Sequence, residues 1–136
     1  MTAQAKPTWE GLGLEVLRTP DFEGQKLRRL GTYAVCFAAS WCHPTRQFVP
    51  KFAARKGTLP MTMAIADITS IDDPLWDRFQ IKITPTVVVF RDGAGVGRMD
   101  GRWVMGLRSA DLDRLAGLIA EPPPRGPGGA DGSVSR

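Results

Sequence analysis

The chain has 136 residues, 43% of them hydrophobic, with 18 basic and 14 acidic side chains and a formal charge of +4. That size and apolar content suit one domain with its own core, and two cysteines are too few for a disulfide scaffold, so a reducing, cytoplasmic setting is expected. The basic residues are scattered (Lys26, Arg28 and Arg29; Arg46, Lys51, Arg55 and Lys56) without an aromatic-interleaved stripe, which reads as solvated faces rather than a nucleic-acid surface.

Residues 1–8 read as a polar leader, and the first ten residues lack the apolar run of a signal peptide. The apolar runs further on are strand-length, so no transmembrane helix and no membrane partner are predicted. Leu14-Glu15-Val16-Leu17 alternates as a short strand. Thr19-Pro20-Asp21 predicts a helix start, with Phe22, Leu27 and Leu30 on one face as far as Gly31. The near-continuous apolar run Tyr33 to Ala39 predicts a central strand buried on both faces of a mainly parallel sheet. The charged amphipathic stretch Arg46 to Lys56 predicts a helix ending near Gly57.

Residues 61–66 predict the next strand, and Asp72-Asp73-Pro74 opens a short helix containing Leu75, Trp76 and Phe79. Thr86 to Phe90 predicts a strand, Arg91-Asp92-Gly93 a turn, and Val96 to Asp100 an antiparallel partner. Ser109 can cap a last helix that buries Leu112, Leu115, Leu118 and Ile119. From Glu121 the composition turns Pro-, Gly- and Ser-rich, so the domain is drawn over 9–120 and 121–136 are expected to be a disordered tail.

Chemistry concentrates at Trp41-Cys42-His43-Pro44-Thr45, between the central strand and the following helix. A cysteine there meets unpaired backbone N–H groups and the positive end of a helix dipole, which stabilise a thiolate. With Ile83-Thr84-Pro85-Thr86 before a run of valines, and Pro50 eight residues after Cys42, this motif resembles the thioredoxin family over about residues 14–119. The resemblance implies an α/β thioredoxin fold, a central mixed sheet with helices on both faces. It also implies a cis-proline at Pro85 lying against Cys42.

The family motif is Trp-Cys-Gly-Pro-Cys; here the second cysteine is Thr45, so no resolving thiol lies in the motif. A buried Asp typical of the family six residues before the first cysteine is Cys36 here. On the resemblance, Cys42 is the attacking group, and Trp41, Pro44, Thr84 and Pro85 face the substrate, Thr84 offering its backbone to an extended chain.

The remaining residues carry two readings each. His43 is either a surface residue or a cation that stabilises the thiolate. Thr45 is either an ordinary first-turn residue or a hydrogen-bond donor to Cys42. Cys36 is either a small buried hydrophobe or a hidden resolving thiol, the latter needing Cα atoms within about 7 Å. A lone histidine and an in-strand cysteine make no metal site, and neither metal nor organic cofactor is implied.

The expected function is thiol–disulfide exchange through one cysteine, on a client protein disulfide or glutathione-type adduct, with an external thiol as reductant. The alternative is a non-catalytic binding or chaperone module that keeps the client groove.

Overall fold

The computed structural model describes residue 9 and residues 11–101. The leader, the Ser109 helix, Trp103 and the Pro/Gly/Ser-rich tail lie outside the described residues. Within them the strands are β1 (Glu15–Leu17), β2 (Phe22–Glu23), β3 (Lys26–Leu27), β4 (Thr32–Ala38), β5 (Thr62–Asp67), β6 (Thr86–Arg91) and β7 (Ala94–Asp100). Helix α1 spans His43–Ala54 and α2 spans Leu75–Arg78.

Five strands form one mixed sheet in the order β1-β5-β4-β6-β7. β4 pairs in parallel with β5 and antiparallel with β6. It is therefore central, and alternate side chains enter two separate cores. Ala34, Cys36 and Ala38 join Phe48, Val49 and Phe52 of α1 on one face, with Trp9, Ile65, Val87 and Val89. Val35 and Phe37 pack on the other face with Phe22, Leu27, Leu75, Phe79, Val88 and Phe90. The two helices thus cover opposite faces, as the α/β expectation required.

The predicted helix from Thr19 to Gly31 is corrected. Only Thr19–Asp21 coils, as one 3-10 turn. The chain then forms a hairpin in which Phe22 faces Leu27 across Gly24 and Gln25. Gly24 has φ +60, which suits the first loop position of a tight hairpin and which a glycine adopts without strain. Phe22 and Leu27 are buried, whereas Leu30, assigned to the same helical face, is 83% exposed. The hairpin is held by Leu27 N–H donating to Gly93 O and by Arg29 paired with Glu15 and Asp21.

Elsewhere boundaries move by a few residues. α1 ends at Ala54 with Pro50 inside it, and β7 begins at Ala94 rather than Val96. No helix among the described residues is long and apolar enough to cross a membrane.

Candidate active site

β4 delivers the chain to a tight turn, Ala39-Ser40-Trp41, in which Cys42 N–H donates to Ala39 O at 3.0 Å. Cys42 is the N-cap of α1, with extended φ −90 and ψ 120, and its carbonyl accepts the first helical bond from Arg46 N–H at 3.0 Å. The cap position itself sets the sulfur over the start of the helix, where N–H groups are unsatisfied. Pro44 in the first turn has no N–H to offer.

Opposite the helix start, the Thr84–Pro85 peptide bond is cis. Thr84 and Pro85 are buried, and Cys42 Sγ donates to Thr84 O at 3.4 Å. Gly101 packs on the other side of this loop: a Cβ there would lie 2.7 Å from Pro85 O. Thr86 Oγ1 donates to Ile83 O at 2.8 Å and also faces Asp100 Oδ1.

Three sequence-predicted residues, Cys42, Thr45 and Thr84, therefore meet at one sulfur. The Thr45 and Thr84 hydroxyls are both buried, and neither makes a hydrogen bond of full geometry. The Cys42 sulfur is the acceptor that both of them favour in its charged form. Burial alone raises the Cys42 pKa, but it is outweighed by bonds from the Thr45 and Thr84 side chains, the Thr45 backbone N–H, and the charge of Arg46. The thiol pKa is lowered as a result.

His43 is exposed and Pro44 half-buried. Trp41 is 53% exposed, and its indole lies parallel to that of Trp76, with centroids 6.1 Å apart. Cys36 lies on β4, fully buried and in register between Ile65 of β5 and Val87 of β6. Burial pushes its thiol far above the usual range, and both cysteines are free.

Sequence reasoning does not single out Arg46, Thr69, Asp67 or the Trp41–Trp76 stack. The scattered-charge pattern puts Arg46 on a solvated face, yet its guanidinium donates to Ser40 O at 3.1 Å and its charge acts on Cys42. Its position four residues after the helix cap is the available signal. No cluster of three or more His, Cys, Asp or Glu side chains capable of holding a metal occurs among the described residues.

The chain is 38% identical over 71 residues to a thioredoxin of Mycolicibacterium smegmatis, which covers 49% of this chain and 62% of that relative. It is 33% identical over 92 residues to a thioredoxin of Chlamydia muridarum, 67% of this chain and 82% of that one. Against the crystal structure of Chlamydomonas reinhardtii thioredoxin f2 the TM-score is 0.63 at 20% identity, over 81% of this chain and 99% of that one. The sequence pattern of the thioredoxin family matches residues 14–109, well over half of this chain, which therefore belongs to that family of thiol–disulfide oxidoreductases.

Proposed function

We propose that this chain exchanges disulfides by a monothiol mechanism centred on Cys42. The observation that carries the reading is the pairing of a thiolate-stabilising helix cap with Thr45, fully buried where a resolving cysteine would stand. The Cys42 thiolate attacks one sulfur of a client disulfide. A Cys42–client mixed disulfide forms as the old S–S bond breaks, and the second client sulfur leaves as a thiolate. The Thr84 carbonyl meets the reacting sulfur, and Thr84 and Pro85 are proposed to offer an edge for an extended client segment.

Thr45 has no sulfur, so the mixed disulfide awaits an external thiolate. That thiolate bonds to the client sulfur, expels Cys42 as a thiolate and completes the exchange. Hydrogen bonds that favour the thiolate also make Cys42 a better leaving group. Cys36 stays out of the cycle because it is buried and its thiol resists ionisation. Two free thiols suit a reducing, cytoplasmic setting.

Residues 9–120 are proposed as the folded unit, with Trp9 buried in the α1-side core.

The test is trapping. Wild type incubated with a disulfide-bonded client such as insulin should accumulate a mixed disulfide on a non-reducing gel, and a small thiol should release it. Cys42→Ser should form none. Efficient turnover without added thiol overturns the monothiol reading. A second reading, a binding module without turnover, is favoured by the exposed apolar surface of Trp41 and of Ile71, which is 76% exposed. Client binding that survives Cys42→Ala, with no adduct in wild type, would select it.

A further inference from the structure

The loop after β5 holds the turn before Cys42 through one residue, Thr69. Its hydroxyl accepts Ser40 N–H at 3.0 Å, and its carbonyl accepts Trp41 Nε1–H at 2.8 Å. Those are the two residues immediately preceding the reactive cysteine. The hydroxyl has one proton, and that proton is committed: Oγ1 donates to Asp67 Oδ1 at 2.5 Å. Its lone pairs are consequently left for Ser40, and the direction of the bond is fixed by the carboxylate.

Asp67 is itself anchored. Oδ1 also accepts Thr69 N–H at 3.0 Å, and Oδ2 accepts Arg18 Nη1 at 2.8 Å. The Trp9 side chain donates to the same carboxylate. Asp67 ends β5 in register with Ala38, the last residue of β4, so the chain of bonds runs alongside the exit of the central strand. On the other side Ser40 O accepts Arg46 Nη1 at 3.1 Å. Ser40 is thereby tied at N–H to the β5 loop and at C=O to the helix whose first turn activates Cys42.

The stacked indoles add a second hold. Trp76 Nε1 lies 3.1 Å from both Ile68 O and Ser70 O, while Trp41 binds Thr69 O between them. The loop carbonyls at 68, 69 and 70 thus orient the Trp41–Trp76 pair beside the site.

We infer that Thr69, with its proton direction set by Asp67, is a positioning residue that holds Ser40 and Trp41 so that the Cys42 sulfur faces the Thr45 and Thr84 hydroxyls. The inference rests on Cys42 being the reacting thiol of the proposed exchange. It does not depend on how the mixed disulfide is resolved, and its readouts need no turnover.

The experiment compares wild type with Thr69→Val and Thr69→Ser. Valine keeps the shape and the backbone carbonyl but removes the hydroxyl; serine restores it. Three quantities are read: hydrogen exchange at the Ser40 amide, the near-ultraviolet circular dichroism of the paired indoles, and the pH profile of Cys42 alkylation. In Thr69→Val the Ser40 amide should exchange faster, the indole signal should weaken, and alkylation at neutral pH should slow about fivefold, the scale of one lost hydrogen bond. Thr69→Ser should restore all three.

An unchanged Ser40 amide or an unchanged alkylation profile in Thr69→Val overturns the inference, as does failure of serine to rescue. If Thr69→Val does not unfold cooperatively, Asp67→Asn carries the test. The amide cannot accept from Thr69 and from Arg18 and Trp9 on both its terminal atoms, so the same changes should appear in the same direction. A wild-type profile in Asp67→Asn also overturns it.

Discussion

Thr45 stands one helical turn beyond Cys42, fully buried, and its hydroxyl is the largest of the contributions that favour the Cys42 thiolate over the thiol. That hydroxyl makes no hydrogen bond of full geometry in the structure. An unpartnered buried hydroxyl is costly, so the site gains a bond when the sulfur ionises. Alkylation of Cys42 should therefore titrate below the free-thiol value of about 8.5. Thr45→Val, close in shape but without the hydroxyl, should raise the midpoint by about one pH unit, the lower end of the range for hydrogen bonds to charged groups. An unmoved midpoint in a folded Thr45→Val variant would show that the hydroxyl is a bystander.

Arg46 supplies the positive charge at the site, acting on Cys42 while its guanidinium holds Ser40 O. Arg46→Gln should raise the alkylation midpoint. Because Arg46 is exposed, part of the effect should be screened by salt, and the gap between wild type and variant should narrow as ionic strength rises. His43→Ala, at the neighbouring exposed position, should move the midpoint less than Arg46→Gln. A larger change at His43 would reverse this ranking.

Cys36 makes stability fall at alkaline pH. Its folded pKa is raised by burial, so the folded protein keeps the proton while the unfolded chain releases it near about 8.5. The contribution is complete below that unfolded value and is lost as pH rises above it, by up to about 1.4 kcal/mol per pH unit. Cys42 acts in the opposite sense, because its folded pKa is lowered: its contribution is present above the unfolded value and is lost as pH falls through the folded one. Denaturant unfolding followed from about pH 7.5 to about pH 10.5 should show a shallower decline for Cys36→Ala than for wild type. The slope is the readout, since removing a buried sulfur also changes the level. Equal slopes would mean that Cys36 is not held protonated by the fold.

The parts of this protein legible in its sequence are those where local chemistry and burial agree. The continuous apolar run of β4 and the valines of β6 each have one physical reading, and the cysteine between strand and helix is marked out by the Trp41 and Pro44 around it. The stretch from Thr19 to Gly31 misleads because Phe22, Leu27 and Leu30 can be placed on a helical stripe. The competing signal is Gly24 at the first position of a two-residue loop, with Phe22 and Leu27 opposed across it. Tertiary bonds decide the outcome, among them Leu27 N–H to Gly93 O, which comes from a turn far along the chain. Thr69 is illegible for the same reason: its importance lies in bonds to Ser40 and Trp41 on another strand's exit, and no spacing rule points to them.

The missing second sulfur gives the sharpest prediction. In a Cys-x-x-Cys site the second thiol attacks the mixed disulfide internally, at an effective concentration far above that of a dissolved thiol. Thr45 occupies that place, one turn into α1 and buried against the Cys42 sulfur. On the proposed monothiol mechanism, Thr45→Cys should convert stoichiometric trapping into turnover and greatly raise insulin reduction under conditions in which wild type is expected to stall. Two effects limit the gain. The new thiol would share the buried setting of Thr45, and burial disfavours its ionisation. Where the family typically carries a buried Asp, β4 has Cys36, whose protonated thiol is a poor substitute for a carboxylate as proton acceptor. The rate should rise with pH as the new thiol ionises, whereas adduct formation by Cys42 should be saturated at lower pH. Measured on wild type, Thr45→Cys, and Thr45→Cys with Cys36→Asp, reductase activity should increase in that order if the variants fold. A Thr45→Cys protein that forms an internal disulfide between Cys42 and the introduced thiol, yet reduces insulin no faster than wild type, would show that resolution is not what limits this site.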